Sequence, residues 1–218
     1  MKQLIKTLLN LAGYELIKKY PYNPQSARPL TKEHFFELYF SLVENPFFVQ
    51  IGANDGITGD PIHQFVIKHK LKGICVEPQI EAFKKLQETY RNYPVNCINA
   101  LIGDKPFYIV KGKSAWASFD KQRLQTRGEI EEIHPPKLSF KELVKDLEKI
   151  DFLQIDAEGY DYEILKELDF KRFKPQIINL ESHYFDDRTR KECEALLLQN
   201  GYRFFMDKSD TCGYRIKK

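Results

Sequence analysis

Residues 152–161 read Phe-Leu-Gln-Ile-Asp-Ala-Glu-Gly-Tyr-Asp. The run Phe152-Leu-Gln-Ile155 is short and mostly apolar, with an aspartate on either side, which is the signature of a strand buried within a sheet. Beyond it, Gly159 lets the chain turn, and Asp161 opens a helix predicted over 161–168. Three carboxylates, Asp156, Glu158 and Asp161, therefore crowd one strand tip. Like charges at that density repel unless a cation, a metal or a helix N-terminus offsets them. Asp161 has an ordinary role as the cap of its helix, whereas Asp156 and Glu158 are left facing whatever lies past the strand.

The same strand–turn–helix unit recurs on both sides. Upstream, a helix over 31–43 is capped by Thr31 and carries Glu33 in its first turn. Then come a strand over 47–51, a helix over 60–70 with Pro61 at its first position, a strand over 73–77, a helix over 78–92 and a strand over 95–101. A β-like piece at 107–110 and an irregular stretch around Trp116 lead to a helix over 139–148. Downstream lie a strand over 177–180 and a helix over 187–200 closed by Gly201. Two strands follow, over 202–206 and 213–216, separated by a turn-rich stretch over 207–212. Repeated βα units with short apolar strands build an α/β fold, a doubly wound, mostly parallel sheet with helices on both faces. The last two strands have no helix between them and predict a C-terminal antiparallel hairpin.

A chain of 218 residues suits one domain with a small appendage. The appendage is residues 1–30, read as an N-terminal amphipathic helix and a Pro-rich linker, with the domain over 31–218. Leu4, Leu8, Leu11 and Ile17 share one helix face, which is expected to dock on the domain; the alternative is peripheral contact with a membrane surface through residues 1–20. Lys6 and Asn10 interrupt the apolar core that a signal peptide needs. With 34 Lys and Arg against 31 Asp and Glu, the net charge is +3, too balanced for a dedicated nucleic-acid binder, and no nucleic-acid partner is expected. No run of about 18 apolar residues predicts a transmembrane helix. The four cysteines, Cys75, Cys97, Cys193 and Cys212, form no CxxC pair and show no zinc-ligand spacing. A reducing cytoplasmic compartment is the expectation.

In a doubly wound sheet ligands bind beyond the carboxyl ends of the strands. After the first strand stands Gly52-Ala53-Asn54-Asp55-Gly56, whose glycines allow a tight turn and close approach of backbone amides to a ligand. After the second stands Glu77, about 20 residues on, where an acidic side chain can accept both ribose hydroxyls of a nucleoside cofactor. It is expected at an exposed strand end. After the third come Asn99, Ala100 and Leu101, near the expected adenine. After the fourth come Asp156 and Glu158; after the fifth comes Glu181-Ser-His183, with His183 a candidate general base and His63 a second one. NAD and S-adenosylmethionine sites share this geometry.

At these residues the sequence resembles the FkbM family of S-adenosylmethionine-dependent methyltransferases. The likeness runs from about residue 47 to the C-terminus. It rests on Val49-Gln-Ile-Gly-Ala-Asn-Asp-Gly56, on Val76-Glu-Pro78, on the 152–161 stretch with Glu163-Ile-Leu165, and on residues 175–181. Gln50 stands where an acidic residue is commonest in methyltransferase loops, and Asn54 where a middle glycine is commonest. The resemblance implies a class I methyltransferase-like, Rossmann-like sheet. It implies methyl transfer, usually to a hydroxyl on a sugar, glycolipid or secondary metabolite. By position, Gly52, Ala53, Asn54 and Gly56 would wrap the methionine part of S-adenosyl-L-methionine, Glu77 would hold the ribose, and Asp156 would line the pocket between cofactor and acceptor.

An alcohol acceptor must lose its proton. Asp156 or His183 could take it; alternatively Asp156, Glu158 and Glu181 could hold a divalent metal that acidifies the hydroxyl. Residues 111–136, with Trp116, Phe119, Arg123 and Arg127, are a candidate acceptor wall: the aromatics suit a sugar or other ring and the arginines an anionic group such as phosphate. Two other readings compete. A NAD-dependent oxidoreductase would also use the glycine loop and Glu77, although GxGxxG is absent. A non-catalytic, methyltransferase-like binding module would keep only the pocket's shape.

Overall fold

The structure, a computed structural model, describes residues 31–207 and 209–215. The amphipathic helix and linker expected over 1–30, including Leu4, Leu8, Leu11 and Ile17, lie outside these residues, as does residue 216. The order begins α1 (Lys32–Leu42), β1 (Phe47–Ile51), α2 (His63–His69), β2 (Lys72–Val76), α3 (Ile80–Thr89), β3 (Val95–Ile98). It continues β4 (Leu101–Ile102), β5 (Phe107–Val110), β6 (Lys113–Ser118), a 3-10 turn (Lys121–Leu124), β7 (Ile130–Ile133), β8 (Lys137–Leu138), α4 (Phe140–Val144). It ends β9 (Phe152–Ile155), α5 (Asp161–Lys166), β10 (Ile177–Glu181), α6 (Asp187–Gln199), β11 (Arg203–Asp207), β12 (Asp210–Tyr214).

The main sheet has the order β11-β12-β10-β9-β1-β2-β3. Its strands from β10 to β3 pair in parallel, and β12 runs antiparallel to both β10 and β11. This is the class I methyltransferase-like sheet, with the closing hairpin folded so that its second strand sits inside. The pleat sends alternate side chains to opposite faces. Val49, Leu153 and Ile178 pack with Phe140, Ile164 and Leu197 on one side. Phe48, Phe152 and Ile177 pack with Phe36, Phe65 and Leu86 on the other. Both faces are therefore covered, as a parallel sheet requires.

One polar row crosses this core. Gln50, Gln154 and Asn179 stand in register on β1, β9 and β10, and all are buried. Asn179 Nδ2 donates to Gln154 Oε1 and to Asp210 Oδ2, each at 2.9 Å. Lys32 pairs with the same Asp210 carboxylate, so the start of α1 is tied to the hairpin. Gln50 Nε2 donates to Asp60 Oδ2 at 3.1 Å. The amide at position 50, where an acid is commonest, thus has a carboxylate to meet.

Several sequence-based boundaries change, each for a local reason. The second helix starts at His63 rather than at 60, because Asp60 Oδ1 accepts the N–H groups of Ile62 and His63 and holds Pro61 in a turn. The third starts at Ile80 rather than 78, because Glu77 Oε1 takes the Gln79 N–H. The third strand stops at Ile98, where Asn99 Nδ2 reaches back to the carbonyls of Glu77 and Pro78. Leu101–Ile102 then leaves the main sheet and pairs with Lys137–Leu138. The stretch around Trp116 is not irregular: β6, β5 and β7 form a three-stranded antiparallel sheet. The hairpin turn is tighter than the 207–212 expected, with β11 reaching Asp207 and β12 starting at Asp210. No described helix is long and apolar enough to cross a membrane.

Candidate active site

A cavity of about 250 Å³ opens beyond the carboxyl ends of β1, β2 and β9. Its floor is set by the strand tips. Gly52 and Ala53 N–H donate to Val76 O, and Asp156 N–H donates to Ile51 O. Gly52 has φ +75°, and a Cβ there would lie 1.8 Å from the Asp156 carbonyl, so only glycine permits β1 and β9 to close up here. Val76, Ala100 and Phe107 supply apolar wall, and Glu77, Asn54 and Asp156 supply polar groups.

Glu77 is buried, at 3% exposure, not exposed as its strand-end position suggested. Its Oε2 accepts the Asn54 N–H and its Oε1 the Gln79 N–H, both at 2.8 Å. Burial still lifts its pKa to about 7, with those two bonds pulling the other way. A carboxylate has about four acceptor positions, so each oxygen keeps one for a ligand hydroxyl. Asn54 Oδ1 is buried among the cavity residues with no hydrogen-bond partner.

The 156–161 turn supplies the acidic end. Asp161 is buried and folds back, its carboxylate accepting the N–H groups of Ala157 and Gly159. It shapes the turn rather than facing the cavity. Glu158 sits at φ +52°, a left-handed conformation unusual for a residue with a side chain. Burial raises the Glu158 pKa to about 8, with Glu181 and Asp161 adding like charge. Burial raises Glu181 to about 7, with Asp161 and Asp210 adding to it. Asp156 is pushed well above the usual carboxylate range by burial and then by Glu181. Burial is the leading cause in all three, like charge adds to it, and Arg123 offsets it in part at Glu158 and Glu181.

A second groove, of about 430 Å³, adjoins the cavity. The two share Ala117, Asp156 and Glu158. Trp116, Ser118, Arg123, Leu124, Arg127, Glu181 and Tyr184 complete the groove. The Arg123 guanidinium lies 4.4 Å from the Tyr184 ring centre and rests on the turn backbone; a Cβ at Gly159 would meet its Nη1 at 2.2 Å. Phe119 lines the cavity and stacks on Tyr160 at 4.5 Å, which seats the small sheet against the turn.

Of the residues singled out in the sequence, Gly52, Ala53, Asn54, Glu77, Ala100 and Asp156 line the cavity together. Asp55 and Gly56 do not. Asp55 holds the loop through Ile57 and Thr58, and Gly56 packs on Leu86 and Tyr90 of the α3 region. Asn99 pins the β2 exit and borders a neighbouring groove. His183 is exposed, its ring against Tyr184 at 5.1 Å, and lines neither cavity nor groove. His63 approaches Tyr90 OH at 3.4 Å, away from the lining. Trp116, Arg123 and Arg127 are among the residues that line the adjoining groove, and Phe119 lines the cavity. Among the described residues no group of three or more His, Cys, Asp or Glu side chains is arranged to hold a metal ion. Sequence reasoning missed Tyr184 and Phe107, since an aromatic carries no sign of facing a pocket rather than a core.

A family model described as the methyltransferase FkbM domain matches residues 50–204, from β1 into β11. The chain belongs to the FkbM methyltransferase family. It is accordingly an S-adenosylmethionine-dependent methyltransferase. Solved structures resemble this FkbM methyltransferase in overall chain path. Precorrin-6y C5,15-methyltransferase from Geobacter metallireducens GS-15 matches at TM-score 0.49 and 11% identity, over 90% of this chain and 93% of its own. Aeropyrum pernix fibrillarin, with natively bound S-adenosyl-L-methionine, matches at TM-score 0.47 and 14% identity, over 79% and 67%. M. capricolum TrmK, in complex with S-adenosyl-homocysteine, matches at TM-score 0.44 and 13% identity, over 83% and 66%. No curated protein sequence matches. Family membership rests on the 50–204 match.

The cavity fits the cofactor of this family. Gly52 is among the lining residues, the orphaned Asn54 Oδ1 can accept from an ammonium, and Glu77 keeps acceptor positions for a ribose.

Proposed function

We propose that this FkbM methyltransferase methylates a hydroxyl on a small molecule, a sugar or a secondary metabolite, with Asp156 as the proton acceptor. One observation carries the reading: Asp156 borders both the cavity and the adjoining groove. A group in that position touches what enters from either side. When bound, S-adenosylmethionine supplies a sulfonium methyl that an acceptor oxygen takes, leaving a thioether and one proton from the hydroxyl. Gly52, Ala53 and Asn54 would hold its methionine part and Glu77 its ribose. The chain's remaining tasks are to orient the hydroxyl from the groove, exclude water and receive the proton on the Asp156 carboxylate. A raised carboxyl pKa makes its ionised form a stronger base.

The test is transfer of labelled methyl from S-adenosylmethionine to a panel of sugars and hydroxylated secondary metabolites, with RNA and protein as competitors. The reading expects label on a small-molecule hydroxyl. Label confined to RNA or protein overturns it.

A further inference from the structure

Resting on the reading that the groove delivers an acceptor hydroxyl to Asp156, we propose that the outer end of that groove is an anion site. The acceptor would then be a ring bearing a phosphate or carboxylate remote from the hydroxyl that is methylated. Trp116 carries two cations: Lys113 Nζ lies 4.1 Å from its ring centre and the Arg127 guanidinium carbon 4.7 Å. Lys113 Nζ also donates to Arg127 O at 3.2 Å, so Lys113, which itself lines a neighbouring groove, is held beside the Arg127 backbone. Among the described residues neither has a carboxylate within ion-pair distance.

The inner end is the opposite. Arg123 has Asp120 at 3.7 Å and feels Glu158 and Glu181, and the groove there is walled by Asp156, Glu158 and Glu181. Charge along the groove therefore runs from carboxylates at the cavity to Arg127 at the Trp116 end, with Lys113 just outside the lining. An anion is repelled from the inner end and attracted to the outer one, so it orients the acceptor with a hydroxyl inward. An anion bonded by the Arg127 guanidinium, with Lys113 adding positive charge across Trp116, gains charge-assisted hydrogen bonds, the stronger class. Trp116 and Tyr184 line the groove, each with a cation stacked on its ring.

Trp116 is the single tryptophan of the chain, so intrinsic fluorescence reports on this site directly. The full chain, saturated with S-adenosylhomocysteine, is titrated with D-glucose, D-glucose 6-phosphate, D-glucuronate and inorganic phosphate. The expected result is saturation by the two anionic sugars at concentrations on the order of tenfold below glucose, with inorganic phosphate competing. The exposed pair Lys113→Gln and Arg127→Gln together should remove that preference and leave the melting temperature unchanged. Equal titrations by glucose and glucose 6-phosphate, no saturable change with any anion, or a preference that survives in the double variant each overturn the anion site. Efficient methylation of a neutral hydroxylated acceptor, unaffected by the double variant, removes the anion site while leaving the O-methylation reading intact. Label confined to RNA or protein removes the O-methylation reading itself.

Discussion

Glu77 Oε2 accepts the backbone N–H of Asn54 at 2.8 Å, so the residue past β2 holds the loop past β1. Its Oε1 holds the start of α3 through Gln79. Glu77→Ala should therefore lose twice. Two inward N–H groups lose their acceptor, at roughly 1–3 kcal/mol for each one left buried without a partner. S-adenosylmethionine affinity should drop as well. Thermal melting and calorimetric titration read the two losses. An unchanged dissociation constant would remove Glu77 from the cofactor site, and an unchanged melting temperature would show that water replaces it at the loop.

Glu158 holds a left-handed backbone conformation at φ +52° beside Gly159 at φ +96°. Glycine adopts that conformation freely, and a residue with a Cβ loses about 1 kcal/mol or more in it. Its carboxylate is also crowded by Glu181 and Asp161. Glu158→Gly should then raise the melting temperature while lowering methyl transfer, because strain retained at a site marks a side chain kept for use. A variant that is both more stable and fully active makes Glu158 an accident of the turn.

The pH dependence of stability follows from the same carboxylates. Burial raises Glu77 and Glu181 to about 7, Glu158 to about 8 and Asp161 to about 6, all above their ordinary values of 4.5 and 3.8. Between about pH 5 and pH 8 the folded protein binds more protons than the unfolded chain, so stability falls as pH rises through that window. A bound sulfonium favours the ionised acids. The ligand-free melting temperature should decline from pH 5.5 to 8.5, and the decline should be shallower with S-adenosylmethionine. A ligand-free melting temperature that climbs across this range contradicts the burial of these groups.

The strand tips were readable because each carried its own punctuation: Gly52 after Ile51, Glu77 after Val76, Asp156 after Ile155. Short apolar strands ending in glycine or acid reveal both the sheet and the side of it that binds. The small β6-β5-β7 sheet was less legible. Lys113 and Trp116 interrupt any alternation in β6, and that strand is held by pairing with β5 and by the Phe119–Tyr160 stack. Burial of Glu77 was hidden for a different reason: its partners are backbone N–H groups of Asn54 and Gln79, which leave no trace in residue identity. His183 illustrates the converse, a residue type suited to catalysis whose strand exit turns it to solvent.

Asp156 stands where cavity and groove meet, one strand over from Gly52, whose missing Cβ lets the Asp156 backbone close in. Its carboxylate makes no contribution to the apolar core, and burial beside Glu181 raises its pKa well above the ordinary range. Asp156→Asn keeps the size and removes the charge. It should melt at or above the wild-type temperature near pH 8, since a crowded buried charge is gone. Methyl transfer should fall on the order of tenfold to a thousandfold, the scale of a removed base or electrostatic contact. Wild-type turnover should rise with pH as Asp156 ionises, and the Asn variant's residual turnover should lose that rise. His183→Ala, changing an exposed ring outside both cavity and groove, should stay within about twofold of wild type, since it removes no group in reach of the acceptor. The opposite pattern, an active Asp156→Asn and a dead His183→Ala, would move the proton acceptor to His183. Activity that vanishes with chelator and returns with magnesium or manganese would instead make Asp156, Glu158 and Glu181 ligands of a metal that acidifies the hydroxyl.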